Sequence, residues 1–123
     1  IGRGTNLQFQ IIGNPNWKNY NFNFTPKSMA GAKHPKHINS KCYGLDLRKH
    51  EKLNEISLKW LILAYNNSEN KTSFFLESFD KLAGTYDLKK QIIGGVNEKQ
   101  IKKSWKSDLK KFNNIRAKYL LYD

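Results

Sequence analysis

The spacing of the apolar residues changes along the chain, and this change most constrains the fold. Near the start, Tyr20, Phe22 and Phe24 alternate with asparagines, which is the two-residue period of a strand with one face on a core. From Ile101 to Tyr119 the apolar residues recur at the spacing of an amphipathic helix. Strands that precede helices, rather than alternating with them, predict an α+β fold: a small, mostly antiparallel sheet packed by helices.

Two further strands are predicted beside the first. Phe9 and Ile11 form a short one that Gly13-Asn14-Pro15 closes, and residues 42–47 alternate again. The intervening segment, Ser28 to Lys41, reads as a long loop. Functional residues are often found on long ordered loops.

Three helices are predicted in the second half. The first covers residues 53–65 and is apolar on nearly all sides. Thr85 caps a short second helix, which Gly94-Gly95 ends in left-handed conformations. Asn97 is the predicted N-cap of the third and longest helix, whose core face carries Ile101, Trp105, Leu109, Phe112 and Ile115 or Arg116. The segment Phe74-Phe75-Leu76 is compatible with a strand or a helical turn.

The length of 123 residues predicts a single domain over residues 1–123. No apolar run approaches the roughly 20 residues that span a bilayer, so we expect no membrane span. The single cysteine, Cys42, excludes an internal disulfide. Because the only methionine is Met29, we expect the chain to be a piece of a longer protein.

The formal net charge of +12, from 22 basic and 10 acidic side chains, favours contact with polyanions. Nearly all the basic side chains are lysines, however, whereas base-edge and bidentate phosphate recognition rely on arginine. A solvated lysine surface therefore stands beside two binding alternatives: a stand-alone basic module for nucleic acid, or one for an anionic cell-wall polymer.

Few residue constellations could carry chemistry. Three histidines, Cys42 and Asp46 lie close in sequence, but the spacing His34-x-x-His37 does not match a helical pair of zinc ligands, so no metal site is expected. A Cys-His nucleophile is an alternative, although free cysteines are most often small buried apolar groups. Asp80, beside Lys81, could serve as a general acid, a helix cap or an ion-pair partner.

Several segments together resemble the C-terminal domain of the NamZ family of exo-β-N-acetylmuramidases. The resemblance extends over essentially the entire chain. No single segment is specific, but their order is: Gly2-Arg3-Gly4-Thr5, Phe9-Gln10-x-Ile12-Gly13-x-Pro15, Phe24-Thr25-Pro26, Lys36-His37, Cys42-x-Gly44, Phe79-Asp80-Lys81-Leu82-Ala83-Gly84, Ser104-Trp105 and Arg116-x-Lys118-Tyr119-Leu120-Leu121-Tyr122. The family usually has proline where this chain has Gln8.

The resemblance implies a two-domain hydrolase that removes N-acetylmuramic acid from the non-reducing end of peptidoglycan fragments. In such enzymes a Rossmann-like N-terminal domain supplies the proposed catalytic glutamate, and the C-terminal domain closes the substrate cleft. We therefore expect the catalytic residues to lie outside this chain. The expected partners are its own N-terminal domain and muramic acid-containing fragments, not nucleic acid. No cofactor or metal is implied, and the implied location is the periplasm or the cell surface.

The substrate also suggests site residues. Muramic acid carries a lactyl carboxylate and an N-acetyl group, which call for a fork of donors and for amide partners. Arg3 offers the fork between two glycines, and Thr5 adds a hydroxyl; a salt bridge from Arg3 to the absent domain is the alternative. Lys36 and His37 are the next substrate-binding candidates, followed by Asp80.

Overall fold

The computed structural model describes residues 1–121. They form two compact units, Ile1–Asn54 (unit 1) and a second that begins at Glu55 (unit 2). Within the described residues, every strand lies in unit 1 and every helix in unit 2. The small antiparallel sheet and the helices confirm the predicted α+β class. That residues 1–123 form a single domain stays a prediction.

Unit 1 contains a three-stranded sheet. Its strands are β1 (Ile11–Asn14), β2 (Phe22–Phe24) and β3 (Cys42–Asp46). The central strand is β3, which pairs antiparallel with β1 on one side and with β2 on the other. The buried side chains of this unit include those of Ile11, Trp17, Ala32 and Cys42. As predicted, Phe22 and Phe24 are half-buried and Asn23 between them is exposed.

The prediction of a strand at Phe9 is wrong. Strand β1 begins at Ile11, and Phe9 lies in a turn with a φ of 60°. The N–H of Phe9 donates to the carbonyl of Ile1 at 3.2 Å, and the N–H of Gln10 donates to that of Leu7 at 3.1 Å. These local bonds satisfy the backbone that a sheet ladder would otherwise have satisfied.

Unit 2 contains four α-helices and a final helical turn. They are α1 (Lys59–Asn66), α2 (Phe79–Ala83), α3 (Asp87–Ile93), α4 (Glu98–Arg116) and the 3-10 turn Ala117–Tyr119. Leu58, Tyr65, Ile92 and Ile101 form its buried core. Phe74 packs against Tyr65 with 5.4 Å between the ring centroids, and it lies in an irregular segment that is neither strand nor helix.

The N-cap predicted at Asn97 is confirmed, because its side chain accepts the N–H of Gln100 at 3.0 Å. The cap predicted at Thr85 is wrong by one residue: the N-cap of α3 is Tyr86, and Thr85 Oγ1, one position earlier, accepts the N–H of Asp87 at 3.1 Å. Of the two glycines that follow α3, only Gly95 has a positive φ, so the prediction for Gly94 is wrong.

The predicted start of α1 at Leu53 is also wrong. The helix begins at Lys59, and both Leu53 and Ile56 are exposed. The N–H of Leu58 donates to Glu98 Oε1 at 2.9 Å. This bond satisfies one of the unpaired backbone donors at the start of the helix, so the sequence-distant Glu98 helps to fix where α1 begins.

The core face predicted for the long helix is correct only for its first two turns. Ile101 is fully buried and Trp105 packs against the core, but Leu109, Phe112 and Ile115 are 52%, 59% and 57% exposed. The helix extends beyond the core of unit 2, so the apolar stripe continues where nothing in that core meets it. Within residues 1–121, no helix combines the length and the apolar character that a membrane span requires. Tyr122, the last residue of the family resemblance, lies outside the described residues.

Candidate functional site

Four of the five predicted site residues lie on two loops of unit 1. Arg3 and Thr5 belong to the first loop, residues 1–10, which precedes β1. Lys36 and His37 belong to the second loop, residues 25–41, which connects β2 to β3 as predicted. Asp80 lies in unit 2 and is described separately.

The first loop is held in place by its own hydrogen bonds. The N–H of Thr5 donates to the carbonyl of Gly2 at 3.1 Å, and the Thr5 hydroxyl donates to the same oxygen at 2.6 Å. The hydroxyl oxygen also accepts the N–H of Leu7 at 3.0 Å. A hydroxyl has one proton to donate, and Thr5 donates it to the carbonyl of Gly2, within the loop itself. A sugar contact by Thr5 stays a prediction.

Gly4 joins the two loops. Its carbonyl accepts the N–H of Lys27 at 2.8 Å, and its φ is +81°. A Cβ at this position would lie 2.5 and 2.7 Å from two ring carbons of Pro35. Only glycine combines this backbone conformation with so close an approach, so Gly4 fixes the position of the neighbouring Arg3 over the second loop.

The guanidinium of Arg3 is exposed, and most of its N–H donors are not used in hydrogen bonds within unit 1. Its Nη2 donates to the carbonyl of Gly31 at 3.3 Å, and within residues 1–121 it forms no ion pair. Residues 1–45 contain neither aspartate nor glutamate. A guanidinium carries five N–H donors, so the remaining ones are available to an anion from outside.

Lys36 and His37 lie at a tight turn of the second loop. The backbone of His37 is left-handed, with a φ of 61°, and its carbonyl accepts the N–H of Ser40 at 3.0 Å. Burial lowers the pKa of the imidazole below its usual 6.5, and the charge of Lys36 lowers it further. Near neutral pH the ring is therefore uncharged and offers one donor and one acceptor, as an amide ligand requires.

Asp80 is held by an ion pair in unit 2. Its Oδ2 lies 3.7 Å from Nζ of Lys89, on α3, whereas the sequence suggested the neighbouring Lys81 as the partner. Its Oδ1 is buried, and within residues 1–121 it has no hydrogen-bond partner. These contacts match the ion-pair alternative for Asp80. A substrate contact stays a prediction.

The residues near the sheet give little support to the Cys-His nucleophile or to a metal site. Cys42 is buried, its Sγ donates to the carbonyl of Ser40 at 3.6 Å, and burial raises the pKa of its thiol, which opposes a nucleophilic thiolate. Arg48 pairs with Asp46 at 2.7 Å, and its hydrogen bonds lower the pKa of that carboxyl to about 2. Residues 1–121 contain no group of three or more His, Cys, Asp or Glu side chains that could hold a metal ion.

The sequence missed two parts of this site. The carbonyl of Gly31, which holds Arg3, has no sequence signature because any residue has a carbonyl. Phe9 was predicted to lie in a strand, yet its side chain is exposed on the first loop. The turn at residues 7–10 contains no Gly, Pro, Asn, Asp or Ser, so the sequence pattern did not reveal it.

Comparison with known proteins gives consistent matches. Residues 1–122 match the family described as "Exo-beta-N-acetylmuramidase NamZ, C-terminal". The chain is 29% identical to the peptidoglycan β-N-acetylmuramidase NamZ of Bacillus subtilis (strain 168), over 98% of this chain and 33% of that protein. The crystal structure of a DUF1343 family protein from Bacteroides fragilis is 42% identical, with a TM-score of 0.89 over 99% of this chain and 36% of that one. The chain thus spans about a third of the length of these relatives.

Proposed function

The chain belongs to the family of NamZ C-terminal domains, and from this premise we propose that it is the C-terminal domain of an exo-β-N-acetylmuramidase. The whole enzyme would remove N-acetylmuramic acid from the non-reducing end of peptidoglycan fragments. The chain would form part of the substrate cleft through the two loops of unit 1, and its other partner would be the enzyme's own N-terminal domain.

The exposed guanidinium of Arg3 is the observation that carries the proposal. N-acetylmuramic acid differs from N-acetylglucosamine by a lactyl ether whose carboxylate is charged at neutral pH. Arg3 is fixed over the second loop and has unused donors, in a stretch of chain that contains no carboxylate to compete. A planar fork of N–H donors binds a carboxylate through two parallel bonds. Lys36 adds a second positive charge, and the neutral His37 suits the N-acetyl amide.

The chain's role would be binding rather than proton transfer. Glycoside hydrolysis needs a carboxylic acid that protonates the leaving oxygen, and such an acid has a raised pKa. The carboxyl of Asp46 has a pKa of about 2, because Arg48 holds it as a carboxylate, so it is a poor acid near neutral pH. From the family resemblance, we place the general acid in the part of the whole protein outside residues 1–123. The two loops would orient the sugar toward it.

Sugar binding by the 123-residue chain tests the site directly. We expect methyl β-N-acetylmuramide to shift the amide resonances of both loops, and methyl β-N-acetylglucosaminide, which lacks the carboxylate, to bind roughly tenfold more weakly or worse. Arg3→Gln should remove this difference. Arg48→Gln is the matched control, because Arg48 already pairs with Asp46. Equal affinity for the two sugars, or an unchanged preference in Arg3→Gln, would refute the role of Arg3.

Activity and location are tested on the whole protein. We expect it to release N-acetylmuramic acid from a chromogenic muramide, with Arg3→Gln raising KM while the fold is retained. Because the proposed substrate is cell-wall material, we also propose a periplasmic or cell-surface location, with a role in cell-wall recycling. Fractionation of the native cells would contradict this location if the protein stayed in the cytoplasm.

The competing function is a stand-alone basic module for nucleic acid or an anionic cell-wall polymer. The lysine-rich helix α4 favours it, since Lys99, Lys103, Lys106 and Lys110 are exposed. Such a module would bind a polyanion as an isolated chain, with an affinity that falls steeply as salt rises. Tight, salt-sensitive binding of a nucleic acid or of teichoic acid, without any response to the muramide, would favour this function over the muramidase domain.

A further inference from the structure

Phe9 combines two features that are unfavourable for folding: an exposed apolar side chain and a strained backbone. Its side chain is 85% exposed, and its backbone is left-handed with a φ of 60°. A non-glycine residue in this region carries strain, and asparagine, aspartate and glycine adopt it far more readily than phenylalanine. Strain of this kind is concentrated at functional sites, where the surrounding structure fixes a side chain in a set direction.

The strained position is firmly anchored. The N–H of Phe9 donates to the carbonyl of Ile1 at 3.2 Å, and the next residue, Gln10, closes a turn onto Leu7 at 3.1 Å. The carbonyl of Gln10 in turn accepts the N–H of Leu47, which directly follows β3, at 2.8 Å. The backbone that carries the exposed ring is therefore hydrogen-bonded to the start of the chain through Ile1 and to the residue after β3 through Leu47.

The same bonds keep Phe9 close to Arg3. The N–H of Phe9 bonds to the carbonyl of Ile1, and Arg3 lies two residues after Ile1, so the Cα atoms of Phe9 and Arg3 are at most about 11 Å apart. The first loop therefore presents an exposed aromatic ring and an exposed guanidinium from backbone positions that lie near each other. Neither side chain contributes to a buried core, since both are exposed.

We propose that Phe9 is an additional substrate-binding residue, whose ring packs against one face of the pyranose that Arg3 holds by its carboxylate. This inference rests on the proposed function. A β-linked N-acetylmuramoyl ring in its chair form carries three axial C–H groups on one face, those at C1, C3 and C5. That face is apolar and matches the flat surface of a phenyl ring, which is how aromatic residues line ligand sites.

The two residues then divide recognition between them. Arg3 distinguishes the acid-bearing sugar from its neutral analogue, whereas Phe9 contacts the ring that both sugars share. Phe9→Ala should weaken the binding of methyl β-N-acetylmuramide and of methyl β-N-acetylglucosaminide by the same factor, roughly five- to tenfold. Arg3→Gln should weaken only the muramide.

The experiment is a titration of the 123-residue chain with each sugar, followed by nuclear magnetic resonance. In the wild type we expect upfield shifts of the axial protons at C1, C3 and C5, because they lie over the ring. These shifts should vanish in Phe9→Ala and persist in Phe9→Tyr. Phe112→Ala is the matched control, since Phe112 is also exposed and lies on α4. Phe9→Asn suits the left-handed backbone, so it should weaken binding without lowering stability, which separates a lost contact from a lost fold.

The outcomes separate this inference from the proposed function. Loss of the muramide preference in Arg3→Gln, with unchanged affinities and proton shifts in Phe9→Ala, would overturn the role of Phe9 and leave the proposed function intact. If neither sugar perturbs the loops at millimolar concentration, both the proposed site and the role of Phe9 fail. Equal weakening of both sugars in Phe9→Ala, with Phe112→Ala unchanged, supports the inference.

Discussion

Two isoleucines on helix α4 give a matched test of where the core of unit 2 ends. Ile101 is 0% exposed and packs with Leu58, Tyr65 and Ile92, whereas Ile115, four turns further on, is 57% exposed. Replacement by alanine removes the same three carbons at each site. At about 0.8 kcal/mol per buried carbon, plus a cavity contribution, Ile101→Ala should cost about 3–4 kcal/mol. Ile115→Ala should cost about 0.5 kcal/mol or less, because alanine's better helix propensity offsets the small loss of burial.

Urea unfolding followed by far-ultraviolet circular dichroism measures both costs. The α-helices of the described residues all belong to unit 2, so the helical signal reports on that unit. An unchanged denaturant slope would show that stability, rather than compactness, was altered. A loss at Ile115 comparable to that at Ile101 would refute the reasoning, because it would mean that the end of α4 is covered in solution. Sedimentation at two concentrations would then show whether a second copy covers it.

Three further predictions concern the loops, the thiol and the acid response. Gly4→Ala should destabilise unit 1 by about 2–5 kcal/mol through a steric clash and a left-handed φ, whereas Gly31→Ala, which has open space, should cost about 1–2 kcal/mol. Because Cys42 is buried, it should react with a neutral thiol reagent on the order of a hundredfold more slowly in the folded protein than in the unfolded chain. Faster labelling of Cys42 in Gly4→Ala or Gly31→Ala would report the destabilisation of unit 1. The N–H of Leu58 lowers the pKa of Glu98 from 4.5, so its contribution to stability is complete above pH 4.5 and is lost as the pH falls through the lower, folded value. Glu98→Gln should therefore flatten the acid limb of the stability curve, and an unchanged slope would contradict this.

The parts of the fold that local chemistry determines could be predicted. The alternation around Phe22 and the N-cap at Asn97 depend only on neighbouring residues, and both are confirmed. The start of α1 could not be predicted in this way, because it depends on the carboxylate of Glu98, some forty positions away in the sequence. Phe9 escaped prediction for a similar reason: its conformation is set by a bond to Ile1 rather than by its own propensity.

Helix α4 shows a second limit of sequence patterns. The spacing of Ile101, Trp105, Leu109 and Phe112 correctly identifies one face of a helix as apolar. It does not show how far along the helix a core is present to cover that face, because that depends on the size of the other elements. In unit 2 the core covers the face as far as Trp105 and then ends.

The structure also changes the meaning of the net charge. In unit 2 several lysines have acidic partners: Lys102 contacts Glu55 and Glu98, and Lys89 contacts Asp80. In unit 1 Asp46 pairs with Arg48, and the whole stretch before residue 46 lacks carboxylates. The positive charge is therefore least neutralised where the two loops present Arg3 and Lys36. A uniform lysine surface would attract any polyanion, but an uncompensated arginine fixed by Gly4 and Gly31 favours one small carboxylate in a defined place.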